Sequence, residues 1–330
     1  MNVPVWVWVV TLSVTMAFLL VDVVVIARRP HVPSMGEAGR HLAFFVGLAV
    51  AFGLGVWVFS GSTYGAQFFA GWLTEYSLSV DNLFVFIIIM AKFGVPEKLQ
   101  QSALMVGIVI ALVLRGIFIA VGAALINQFA WVFYLFGAFL IYTAVKLARE
   151  SLSEESKEEF EENRLLRWVE DRFPATQSWE HGTRLFVRSN GTRIITPMLI
   201  VILALGTTDL LFALDSIPAI YGLTSEPFLV LTANIFALMG LRQLYFLIGG
   251  FLKRLVYLGV GLSVLLAFIG VKLILHAMHE NTLPFINGGE HVSWAPEIPI
   301  GISLSTIVFI LLVTTIASLA KTRKDLPAGR

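Results

Sequence analysis

Two carboxylates, Glu75 and Asp81, lie inside an apolar run from about Phe68 to Met90. A run that long and that apolar reads as a membrane-crossing helix. A charge at the centre of such a helix costs roughly 2.5–3.5 kcal/mol even on the lenient insertion scale, so it needs a partner or a purpose. The chain repeats the device. Asp209-Leu-Leu-Phe-Ala-Leu-Asp215-Ser216 again sets an acid six residues before an aspartate, and a small polar residue follows that aspartate as Asn82 follows Asp81.

The rest of the chain fits a bilayer. Hydrophobic residues make up 57% of the 330 positions and charged residues only 14%, against about a quarter charged in a soluble domain. Mean hydropathy is +0.83. The absence of cysteine excludes disulfides, thiolate metal sites and redox-active thiols. No base falls in Met1 to Val10, so the first apolar segment is expected to stay as a span rather than be cleaved as a signal peptide.

Nine segments are long enough to cross: 4–27, 41–60, 67–91, 101–126, 130–149, 194–218, 228–250, 254–277 and 299–320. Every odd-numbered loop carries Lys or Arg and every even-numbered one lacks them. The positive-inside rule then sets the N-terminus outside and the C-terminus in the cytoplasm. The expected organisation is two leading helices (1–60), a three-helix unit (61–149), a cytoplasmic loop (150–193), a second three-helix unit (194–277), an external loop (278–298) and a final helix with a basic tail (299–330). Within 150–193, the charge-dense stretch Ser153 to Arg172 has an amphipathic pattern. Asn190-Gly191 marks the turn of a short hairpin. The loop reads first as a connector and second as a docking place for a soluble partner.

The two three-helix units can be superimposed in sequence. Glu75 and Asp81 match Asp209 and Asp215. Arg115-x-x-Phe118-x-x-x-Gly122 matches Arg242-x-x-Tyr245-x-x-x-Gly249, and Leu140…Lys146-Leu147 matches Leu266…Lys272-Leu273. An odd number of spans per unit reverses the second unit in the membrane. The result is an all-α polytopic protein with an inverted 3+3 repeat, spans 3–5 against 6–8, which is an architecture of secondary transporters with a midplane site.

Six residues place two side chains about 120° apart on a straight helix. A helix unwound near Leu78–Val80, or around Gly206 and Pro218, would bring each pair of acids to one site. Glu75, Asp81, Asp209 and Asp215, with Asn82, Ser79 and Ser216, form an all-oxygen set suited to a hard divalent cation carried as substrate, with no resident cofactor. Arg115 and Arg242 read as fixed counter-charges. Lys272 reads as one able to discharge, and Lys146 lies near a membrane boundary. Asp22 and Asn234 are further polar candidates. His276, His279 and His291 read as surface residues of the outer side.

Glu75-x-x-Leu-Ser79-x-Asp81-Asn82, with Thr208-Asp209-x-x-Phe-Ala-x-Asp215-Ser216-Ile-Pro218, resembles the TerC/Alx family of bacterial integral membrane proteins. Gly240-Leu-Arg242-x-Leu-Tyr-Phe-Leu, Gly270-Val-Lys272 and Asp22 before Arg28-Arg29 extend the likeness, which is closest to the Alx branch. The resemblance implies a manganese exporter of the inner membrane, linked to alkaline pH and to metallation of exported enzymes, with the motif acids on the ion. Older naming implies tellurite resistance. The alternative is a non-transporting subunit or metal sensor of a stress complex. An intramembrane diaspartyl protease lacks its Gly-x-Gly-Asp context here, so no enzyme activity is expected.

Overall fold

The computed structural model describes residues 1, 3–28, 33–129, 131–152, 178–189, 192–248, 257–281, 283, 286–290, 292 and 294–325. The chain is built from long apolar helices: α1 (Val5–Arg28), α2 (Met35–Ser60), α3 (Ser62–Lys92), α4 (Glu97–Gln128), α5 (Val132–Leu152), α6 (Pro197–Tyr221), α7 (Pro227–Met239), α8 (Leu241–Ile248), α9 (Leu258–His279) and α10 (Ile300–Asp325). Among the described residues, eight spans are long and apolar enough to cross a membrane, with α7 and α8 together making one; α1 contributes a shorter apolar stretch, Val5–Val21. This is the expected all-α polytopic architecture.

Local chemistry sets the ends. Ser34 caps α2 by accepting from the Glu37 N–H at 3.2 Å, the usual service of a short polar side chain to an unpaired first-turn donor. A single residue, Gly61, joins α2 to α3 at φ +104°, a backbone setting that favours glycine. The expected hairpin is present as β1 (Phe186–Ser189) paired antiparallel with β2 (Thr192–Ile195), Ser189 opposite Thr192. Thr196 follows at once. Its hydroxyl donates to the Arg184 carbonyl at 2.6 Å and accepts from the Leu199 N–H at 3.4 Å, so one side chain ties the hairpin to the start of α6. The amphipathic stretch expected at Ser153 to Arg172 lies outside the described residues.

α3, α4, α6 and α7 pack as an inner group, α3 on α7 and α4 on α6, while α5 packs on α9. α7 is buried along nearly its whole length. Outer helices turn large apolar side chains outward, among them Trp6, Val58, Phe59, Tyr142 and Phe309, as lipid-facing surfaces do. A Cβ on Gly71 of α3 would press on Ile220 of α6 at 3.2 Å and touch Ala233 of α7, while one on Gly107 of α4 would touch Leu205 of α6. α5 and α9 cross at Gly137 and Gly270, where a Cβ on either would lie 2.8–3.0 Å from the other's carbonyl oxygen; this is small-residue packing of the kind membrane helices use.

Two expectations need correction. α3 runs unbroken through Leu78–Val80, and α6 runs unbroken through Gly206 and Pro218. Pro218 lies inside the last turn of α6 and gives up one hydrogen bond, to the Leu214 carbonyl, without ending the helix. The interruption falls instead in the seventh span, at Gly240 between α7 and α8. α5 and α9 meet through Gly137/Ile141 on one and Gly270/Ile274 on the other. That contact is seven residues out of step with the Lys146/Lys272 match read off the sequence. Seven residues is nearly two whole turns, a drift of only about 20°, so both registers present the same apolar face.

Candidate functional site

The buried acids are organised by Arg115, which α4 delivers between α3 and α6. Its Nη1 donates to Glu75 Oε2 at 2.7 Å, and its Nη2 and Nε donate to Asp209 Oδ1 and Oδ2 at 3.2 and 3.3 Å. Ser216 Oγ lies 3.4 Å from Nη1. Asp209 and Ser216 are seven residues apart and therefore share a face of α6. All four residues are buried, with Arg115 and Glu75 at 1% and 0% exposure. The two-point grip on Asp209 uses the planar fork of a group that stays charged. Two carboxylates against one guanidinium leave a formal charge of −1.

Further polar atoms gather on the α3–α7 side of Glu75. Glu75, Ser79 and Asn82 recur at the spacing of one helix face, and all three are buried. Asn234 of α7, fully buried, lies beside Glu75. Glu75 Oε1, Ser79 Oγ and both polar atoms of Asn234 make no close hydrogen bond among the described residues, although Asn234 acts on Glu75 as a weak donor. Such groups normally find one.

The fourth motif acid is elsewhere. Asp215 is half-buried and accepts from Thr143 Oγ1 of α5 at 3.1 Å. The six-residue spacing that separates the acids on a straight α6 turns Asp215 away from Arg115, so a single site of four carboxylates does not form around the guanidinium. Thr143 was not singled out from the sequence; its only signal is a hydroxyl in an apolar span, three residues before Lys146. Lys146 itself is exposed and stands 3.8 Å from Glu150, so it is a surface residue rather than part of the buried group. Arg242 is buried just past Gly240, at the start of α8. The side chains of Asp22 and Asp81 lie outside the described residues.

Lys272 is also away from the triad. It lines a cavity of about 440 Å³ with Gln67, Tyr221, Thr224, His276 and Glu297, near the turn that joins α6 to α7. Thr224 Oγ1 donates to Gln67 Oε1 there at 2.8 Å. Gln67 is two turns before Glu75 on α3, about 12 Å along the helix axis.

Long apolar helices, outward apolar faces and a buried ion triad define a multi-pass α-helical membrane protein with a charged core. The profile described as the Integral membrane protein TerC family matches residues 60–326. The uncharacterized membrane protein Rv2723 of Mycobacterium tuberculosis is 49% identical over 94% of this chain and 78% of its own length. STKORF319 of Myxococcus xanthus, another uncharacterized membrane protein, is 39% identical over 96% and 92%. A protein of Escherichia coli K12 named as membrane-bound redox modulator Alx is 36% identical over 92% and 91%. No solved structure matches the chain. The chain belongs to the TerC family of integral membrane proteins.

Proposed function

We propose that this protein is a secondary transporter that exports a hard divalent cation, Mn2+, across the inner membrane by alternating access. One observation carries the reading: Glu75 Oε1, Ser79 Oγ and Asn234 Oδ1 are buried oxygens that make no close hydrogen bond among the described residues, with the Asn234 side chain only a weak donor toward Glu75. A buried polar atom left unpaired costs about 1–3 kcal/mol, more if it is charged. A set made only of oxygens suits Mg2+, Ca2+ or Mn2+. Manganese is the ion that membership of the TerC family implies.

The residues divide the work. Arg115 occupies one oxygen of Glu75 and both of Asp209, so Glu75 keeps Oε1 for the cation. Asp209 and Ser216 hold the guanidinium. Ser79, Asn82 and Asn234 complete the oxygen shell on the α3–α7 side. Asp215 supplies a further carboxylate along the path, and Lys272 a positive charge in the adjoining cavity. The reciprocal approach of Gly137 and Gly270 supports an inverted repeat rocking about the α5–α9 crossing. In this reading the N-terminus is outside, and protons exchange for the metal. Any redox role of the kind the Alx name states would have to run without thiols, since the chain has no cysteine.

Purified protein in liposomes tests the proposal. Mn2+ is expected to cross in the presence of the wild-type protein and at least tenfold more slowly with Glu75→Gln or Asn234→Ala. No flux from the wild type would make it a non-transporting subunit. Unchanged flux in Glu75→Gln would misplace the site. Flux that ignores collapse of the proton gradient would remove proton coupling.

A further inference from the structure

A second group of ligand atoms lies at the end of α9, outside the buried core. His279, Glu280 and Glu297 each bring one ligand atom to within 4.8 Å of the other two. His279 Nε2 stands 3.6 Å from Glu297 Oε1. The sequence does not announce this group. It offers three loosely spaced histidines, of which His276 lines the cavity and His291 lies outside the described residues. The residue that completes the group is a glutamate 18 positions beyond His279.

The fold holds these three together by ties that do not involve them. Asn281 is buried just after α9. Its Nδ2 donates to the carbonyls of Ile286 at 2.6 Å and Glu290 at 3.1 Å, and its Oδ1 accepts from the Leu283 N–H at 3.1 Å and the Tyr134 hydroxyl at 3.3 Å. The Val292 N–H donates to the Met278 carbonyl at 3.2 Å. The segment after α9 is thus folded back on the helix end. Pro296 and Pro299 flank Glu297 and narrow the backbone there.

The chemistry favours a cation. The last carbonyls of a helix give its end a partial negative charge, and two carboxylates stand beside it. An imidazole among them shifts preference from Mg2+ and Ca2+ toward borderline transition metals. Metal bonds of about 2.0–2.2 Å to nitrogen and oxygen set ligand atoms roughly 3.0–3.5 Å apart. The 3.6 Å pair is near that already, and Glu280 and Glu297 are exposed and free to close the rest.

We infer that His279, Glu280 and Glu297 form a peripheral site for a borderline divalent transition-metal ion, separate from the buried acids. Glu297 also lines the cavity that holds Lys272 and His276, so the site stands at that cavity's rim. Its role as a way-station for exported metal rests on the transport proposal; the binding site itself does not.

Co2+ binding to the purified full-length chain in detergent tests this, read by visible absorption and by the rise in thermal unfolding temperature, in a Glu75→Gln background that disables the buried site. The Glu75→Gln protein is expected to bind Co2+ and to gain thermal stability that a tenfold excess of Mg2+ does not reproduce. Adding Glu297→Gln or His279→Gln is expected to weaken Co2+ binding at least tenfold, with the metal-free unfolding temperature unchanged. Equal Co2+ affinity in those double variants, or equal response to Mg2+, overturns the site. Wild-type protein that moves no Mn2+ in liposomes but binds Co2+ in this way sinks the transport proposal and leaves the site standing.

Discussion

Asp209 and Asp215 sit six residues apart on one unbroken helix, yet they are treated differently. Asp209 is nearly inaccessible and gripped at two points by Arg115. Asp215 is half-buried and receives one hydroxyl hydrogen bond from Thr143, with the positive charge of Lys146 acting from further along α5. Both are aspartates in the same apolar span, so the difference is one of helix face. An acid held by a permanent cation is neutralised in place and ties α6 to α4. An acid held by one hydroxyl hydrogen bond is not committed to a cation. Under the transport proposal, Asp209 is the framework of the site and Asp215 the acid left to exchange.

The largest expected effect breaks the framework. Arg115→Ala leaves Glu75 and Asp209 buried without their cation, a loss of about 3–5 kcal/mol. Thermal unfolding in detergent should show it, with Arg115→Lys recovering only part because a lysine cannot make the two-point contact. Wild-type stability in Arg115→Ala would end the claim that the triad holds the helices together.

Next comes the direct contrast. Asp209→Asn removes one side of the ion pair and is expected to cost about 1.5–3 kcal/mol. Asp215→Asn is expected to stay within about 1 kcal/mol of wild type, since one neutral hydrogen bond is at stake, while slowing Mn2+ flux at least tenfold. Equal losses of stability in the two variants would erase the distinction. The smallest effect belongs to Lys146→Ala, which breaks only an exposed pair with Glu150 and should change stability by about 0.5 kcal/mol or less. A larger loss would mean that Lys146 supports Asp215 more directly than its exposure suggests.

Much of the site was legible in the chain. Glu75, Arg115 and Asp209 stood out because each is a charge in an apolar run, and a bilayer makes such charges too costly to carry without compensation. Thr143 did not, because a hydroxyl in an apolar helix is cheap and has many uses. His279 and Glu297 did not, because neither is unusual outside the membrane. Only the Asn281 ties and the fold-back after α9 bring them together.

By itself the sequence determined the long apolar helices, the hairpin before α6 and the placing of the buried acids in two apolar spans. These follow from hydropathy, turn residues and the cost of charge, all read along one dimension. The tertiary structure decided which acid meets which base. It set Arg115 between Glu75 and Asp209, turned Asp215 toward α5, exposed Lys146, and fixed where α5 and α9 cross. Those outcomes depend on how each helix is rotated and where it crosses its neighbours. A pattern that repeats nearly every seven residues leaves that rotation and register undetermined, and packing at Gly137 and Gly270 settles it.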